Sequence, residues 1–158
     1  MVSRTGAQLI DNGAVASLRQ VLIPIATVVT PNRYEAQLLS GLEIHNLDDM
    51  KSAAARIHQL GAESVLVKGG GMPGDLRGTD VWFDGQQWEV MHKVPVETTN
   101  THGTGCTLAA AITANLACGN DLLTSVHKAK EYVTTALKYS LNIGKGQGPV
   151  GHFFPLCK

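Results

Sequence analysis

A chain of 158 residues, 44% hydrophobic and 16% charged, is long enough to bury one real core and too ordinary in composition for disorder. Thirteen basic residues balance thirteen acidic ones, so no global field would gather nucleic acid or an anionic membrane, and a small-molecule partner is expected. Cys106, Cys118 and Cys157 are an odd number without C-x-x-C spacing, which argues against a disulfide framework or structural zinc and for a reducing, cytoplasmic setting. No apolar run is long enough to span a bilayer, and the first residues fit neither a signal nor a transit peptide, so a soluble protein is expected.

In chain order, the residues from Asp11 to Gln20 suggest a short helix. "IATVVTP", Ile25 to Pro31, is a β-rich run stopped by proline, so a strand should end near Thr30. "RYEAQLLSG" has good helix formers closed by Gly41. "NLDDMKSAAARIHQLG" is the clearest helix: Asn46 as N-cap, Asp48 and Asp49 in the first turn, Met50, Ala53, Ile57 and Leu60 at helical spacing, and Gly61 as terminator. "SVLVKGGG", Ser64 to Gly71, reads as a strand buried on both faces, and its helix-then-strand context implies a parallel sheet with crossover helices. "TDVWFDGQQWEVMH" alternates around Asp84 and Gly85, a dipeptide suited to a tight turn, and should form an antiparallel edge hairpin on which Trp82 and Trp88 pack. Two helices follow, at about 104–117 and 121–142, the second with a stripe of Leu122, Val126, Ala129, Val133 and Leu137. The glycine-rich tail should be irregular until Phe153 and Phe154 dock.

Three places could carry chemistry. Gly103 and Gly105 allow a tight turn whose N–H groups point one way, and the helix after them adds its own unpaired N–H groups and dipole, so the Gly103, Thr104, Gly105, Cys106 corner suits an anion. It matches neither G-x-x-x-x-G-K-[ST] nor G-x-G-x-x-G, and a plain tight turn reads equally well from these residues alone. A thiol in a first helical turn has its thiolate favoured, which singles out Cys106, whereas Cys118 and Cys157 read as packing residues. Asn32 and Glu35, three apart at a strand-to-helix junction, could hold a hydrated Mg²⁺ or form an N-cap and capping box. Lys68 beside three glycines could reach a phosphate or stand solvated at a strand end. His102 could contact a phosphate or cap the loop, and the other histidines show no metal-ligand spacing.

"VVTPNRYEAQLLSG", "VLVKGGG", "NTHGTGCTLAAAI" and "GPVGHFF", in this order, resemble the hydroxymethylpyrimidine phosphate kinases of thiamin biosynthesis, within the ribokinase-like superfamily. The resemblance runs from Met1 nearly to Lys158. It implies a single α/β domain over 1–158: a three-layer ribokinase-like fold, with a mostly parallel central sheet flanked by helices. A cysteine where the superfamily usually carries an aspartate resembles the pyrimidine branch and some pyridoxal kinases, and implies that Cys106 is the catalytic base. By the same resemblance Gly103, Thr104, Gly105 and Cys106 form the anion hole for the transferring phosphoryl group. Asn32 and Glu35 then position Mg²⁺ through water, and Lys68, Gly69, Gly70 and Thr101 meet the nucleotide. ATP and Mg²⁺ are the implied cofactors.

"MVSRTGAQLI" resembles the family's D-P-V-M segment entered at its methionine, so the chain reads as the C-terminal, nucleotide-binding part of such a kinase. Loss of early strands would expose a sheet edge and an apolar face, from which a homodimer or other association is expected. The functions to separate are phosphorylation of hydroxymethylpyrimidine and its monophosphate, pyridoxal phosphorylation on the same fold, and nucleotide binding without turnover. Location follows the parent: cytoplasmic, or plastid for a plant protein.

Overall fold

The computed structural model describes residues 9–92 and 96–156, which fall into two compact units, 1–95 and 96–158. Cys157 lies outside the described residues.

The first unit begins with α1 (Asn12–Ser17), capped by the Asp11 carboxylate, which accepts the Ala14 N–H at 2.7 Å. The chain continues through a π-helical turn at Leu18–Leu22 and a 3-10 turn at Ile23–Ile25, so the helix expected over 11–20 runs on and changes pitch. The strand expected to end near Thr30 is reduced to two isolated parallel bridges, Val29 with Val65 and Asn32 with Lys68. Pro31 explains the reduction: it has no N–H to donate and contributes only its carbonyl, to the Lys68 N–H at 2.9 Å.

Two reciprocal caps then start two helices. At α2 (Arg33–Ser40) Asn32 Oδ1 accepts the Glu35 N–H, and Glu35 Oε2 accepts the Asn32 N–H; Gly41 ends the helix at φ 73°. At α3 (Leu47–His58) Asn46 and Asp49 make the same exchange, as the Asn46 start predicted. Apolar residues three and four apart face one way in α3, and Met50, Ala53, Ala54 and Ile57 are fully buried.

Strands β1 (Val65–Val67), β2 (Asp80–Phe83) and β3 (Trp88–Met91) form an antiparallel sheet in that order. Among the described residues of this unit the parallel pairing is confined to the two bridges. Strand β2 takes the remaining edge of β1, and the short loop after β2 makes β3 run antiparallel to it. Register pairs Val67 with Val81 and Phe83 with Trp88. The Asp84 N–H reaches the Gln87 carbonyl at 3.4 Å around a two-residue loop, Gly85-Gln86. Only Gly85 has positive φ, 92°, the φ pattern of a type II′ turn with glycine first. The hairpin stands where the sequence put it. Trp82 is buried, but Trp88 is 41% exposed and stacks on Phe83 at 3.9 Å instead of packing fully on the sheet. The core lies between α2, α3 and one sheet face, with Leu39, Ile44, Ile57, Val65, Val67 and Val81 at its centre.

The second unit is built on α4 (Thr104–Ala117) and α5 (Leu122–Lys138), which pack on each other. Leu108 and Ile112 of α4 are buried, as are Val126, Ala129, Val133 and Ala136 of α5. Leu122 and Leu137, at the ends of the expected stripe, are only half-buried, and α5 stops four residues short of Asn142. Asp121 caps α5 at the Thr124 N–H, and hydrogen bonds to Thr124 hold its carboxyl below the ordinary range. Cys118 ends α4 and is exposed, not packed, because Gly119 at φ 83° turns the chain away there. In the tail Val150 is buried and the Phe154 ring packs 5.0 Å from that of Tyr132. Phe153, expected to dock, is 69% exposed, because consecutive residues leaving the last turn cannot both face the helix pair.

Candidate functional site

The predicted site residues divide between the two units. In the first, the bridge from Asn32 to Lys68 sets two chain segments side by side, so the start of α2, with Glu35, lies next to the end of β1. All three side chains are partly exposed. The capping box occupies Asn32 Oδ1 and Glu35 Oε2, so the structural reading of this pair is realised. Among the described residues no group of three or more His, Cys, Asp or Glu gathers to hold a metal. A Mg²⁺ that keeps most of its water fits this donor set better than a protein-ligated one.

After Lys68 the glycines make a single 3-10 turn, Gly69–Gly71. The Gly69 N–H donates to the buried Asp80 carboxylate at 2.8 Å, and its carbonyl accepts the Met72 and Gly78 N–H groups. A side chain at Gly69 would place Cβ 1.8 Å from the Thr79 carbonyl oxygen. Gly69 is therefore a close-approach glycine whose N–H is committed to Asp80. Gly70 is exposed with open space around it.

In the second unit Gly103 adopts φ 85°, a left-handed conformation, and starts α4 without a side-chain cap. The Gly103 carbonyl accepts both the N–H and the hydroxyl of Thr107, each at 2.9 Å. The Thr101 carbonyl takes the Thr104 hydroxyl at 2.7 Å and, at 3.4 Å, its N–H. Among the described residues the N–H groups of Gly105 and Cys106 have no acceptor, as befits a first helical turn. Cys106 is exposed on that turn with its thiol free. The arrangement offers aligned N–H donors, the positive end of a helix of 14 residues, and a thiol at the same point.

The tail fastens this corner. Asn100 Oδ1 accepts the buried Gly148 N–H at 2.8 Å, and His102 bridges to Pro149, exchanging hydrogen bonds with Gly148 and Val150. The His102 backbone thus pairs with the tail. Thr107 Oγ1 lies 2.8 Å from His152 Nε2. From sequence Asn100, Thr107 and Asp80 carry no assigned role, and His152 reads as a surface or packing residue. Their partners lie 11 to 48 residues away, and the only trace was "GPVGHFF" recurring with the glycine corner in the resemblance.

A strand that ends in a lysine and a glycine turn, in the first unit, and a helix that opens on unpartnered N–H groups beside a thiol, in the second, each suit a phosphate anion. The family described as phosphomethylpyrimidine kinase matches residues 1–151, and this chain belongs to it. Hydroxymethylpyrimidine/phosphomethylpyrimidine kinase of Synechococcus elongatus is 56% identical over 156 residues, 99% of this chain and 59% of that protein. The chloroplastic thiamine biosynthetic bifunctional enzyme of Arabidopsis thaliana is 45% identical over 162 residues, 31% of its own length. The solved Bacillus subtilis pyridoxal kinase in complex with ADP superposes with a TM-score of 0.89 at 39% identity, over 95% of this chain and 58% of that one. The fold is therefore the ribokinase-like α/β fold of these kinases. The chain spans about three-fifths of the single-function relatives it matches.

Proposed function

We propose that this chain acts in ATP-dependent phosphorylation of hydroxymethylpyrimidine and its monophosphate, as the nucleotide-handling part of such a kinase. The observation that carries the reading is the α4 corner, where the unpartnered Gly105 and Cys106 N–H groups meet an exposed thiol behind a left-handed Gly103. Within the Gly103, Thr104, Gly105, Cys106 turn, the unpartnered N–H groups of Gly105 and Cys106 receive the transferring phosphoryl group and stabilise charge on its equatorial oxygens. An oxygen of the pyrimidine substrate bonds to phosphorus as the bond to the ADP leaving oxygen breaks, and Cys106 Sγ takes the proton of an attacking hydroxyl. Lys68 and Gly70 meet nucleotide phosphates, with Gly69 holding the turn through Asp80, and Thr101 lines the nucleotide path. Asn32 and Glu35 position Mg²⁺ through water while capping α2; the ion, when bound, neutralises phosphate charge.

Pyridoxal phosphorylation is the second reading, supported by the likeness to a pyridoxal kinase structure. A cytoplasmic or plastid setting accords with bacterial and chloroplastic relatives. Among the described residues no helix is long and apolar enough to cross a membrane. The test is ³¹P NMR of Mg·ATP with hydroxymethylpyrimidine, its monophosphate and pyridoxal in parallel. Phosphorylated pyrimidine is expected. Pyridoxal phosphate as sole product would transfer the assignment to the second reading, and nucleotide binding without product would leave a non-catalytic nucleotide-binding chain.

A further inference from the structure

We infer that His152 is a positioning residue for the anion-binding corner, acting through Thr107 on the Gly103–Thr104 peptide; the inference rests on the reading of that corner as a phosphoryl site. Thr107 is 7% exposed, and its single hydroxyl proton goes to the Gly103 carbonyl at 2.9 Å. Oγ1 is then left as an acceptor, and His152 Nε2–H at 2.8 Å is the donor that fills it. The Gly103 carbonyl and the Thr104 N–H, which reaches the Thr101 carbonyl at 3.4 Å, belong to one planar peptide, so fixing the oxygen fixes the turn from which the Gly105 and Cys106 N–H groups are aimed. Gly103 has open space where a Cβ would stand, and a glycine with no packing can rotate that peptide unless hydrogen bonds hold it.

His152 is itself held from two directions. Its carbonyl accepts the Tyr132 hydroxyl at 3.1 Å, and its own N–H donates to the Val150 carbonyl at 3.2 Å. Val150 is buried and pairs with His102, one residue before the corner. The tail therefore grips the corner from both sides: the chain entering it through His102 and Asn100, and the first turn leaving it through Thr107. The side chain of His152 is exposed while its one described hydrogen bond goes to a buried hydroxyl, which is not the arrangement of a core residue.

The test uses ¹H–¹⁵N NMR of the full chain with Mg·AMP-PCP, following the Gly105 and Cys106 amides, beside turnover of Mg·ATP with hydroxymethylpyrimidine phosphate. His152→Ala should weaken AMP-PCP binding about tenfold and His152→Gln, which keeps a donor near the Nε2 position, should restore most of it. Thr107→Val should copy the loss and Thr107→Ser should not, a pattern that general loss of folding would not give. In turnover, the loss should fall on the KM for ATP before kcat. AMP-PCP affinity unchanged in His152→Ala and Thr107→Val, or no binding by the unaltered chain, would overturn the inference. Binding that depends on His152 with no turnover in any variant would remove the kinase reading and leave the inference standing; normal turnover in His152→Ala would do the reverse.

Discussion

At the scale of single residues, two glycines of the tail mark where backbone meets backbone. A Cβ at Gly148 would lie 2.0 Å from the Leu141 carbonyl oxygen and 2.7 Å from Asn100 Oδ1; at Gly151 it would lie 1.9 Å from the Tyr139 carbonyl oxygen. Neither clash can be relieved by rotating a side chain. Gly148→Ala should therefore destabilise the chain by about 2 kcal/mol or more, while Gly146→Ala, with nothing within 4 Å, should stay within about 0.5 kcal/mol. Urea denaturation of the two variants checks the contrast, and equal midpoints would contradict the fastening of the tail to the corner. The sequence showed these glycines as part of a glycine-rich tail and of the motif "GPVGHFF", with no sign of what they pack against. The atoms that forbid a side chain at Gly148 come from residues 7 and 48 positions away.

At the scale of elements, local signals were legible and distant pairing was not. Asn46 and Gly41 end or begin helices through contacts within four residues, and α4 occupies the residues expected of it. The run "IATVVTP" has strand composition, yet its pairing is decided by Pro31 and by the hairpin that takes the other edge of β1. The hairpin carries a pH prediction. Asp84 accepts the N–H groups of Gln86 and Gln87 at 2.9 and 2.7 Å, and the bond from Gln87 is the main reason its carboxyl sits below the ordinary 3.8. Near that value the unfolded chain binds more protons than the folded one, so stability rises with pH. The contribution is present above the unfolded value and is lost as pH falls through the lower folded value. Asp84→Asn should flatten this part of the profile, as read from thermal midpoints between pH 2 and 6; an unchanged slope would show that the turn bonds do not act on ionisation.

At the scale of the whole molecule, the chain spans about three-fifths of the single-function relatives it matches. Val21, Leu22 and Ile25 are 63, 56 and 77% exposed in one short stretch after α1, more large apolar surface than a single surface helix turn ordinarily leaves open. Association is expected from it. Sedimentation velocity should show a dimer or larger species that Val21→Lys with Ile25→Lys shifts toward monomer, and a monomer at all concentrations would contradict the expectation. Family membership was legible because four short motifs keep their order along the chain. The anion corner was legible as glycines before a helix, while its fastening by Asn100, Thr107 and His152 arises only when the tail folds back on residues 100–107.

The most direct measurement is ADP release from Mg·ATP in the presence of hydroxymethylpyrimidine phosphate, for the unaltered chain and for Cys106→Ala. The account predicts release that depends on the pyrimidine, a fall in kcat of about 10²-fold or more in the variant, and nearly unchanged affinity for ATP. Release that ignores the pyrimidine, or an unchanged kcat in Cys106→Ala, would contradict it.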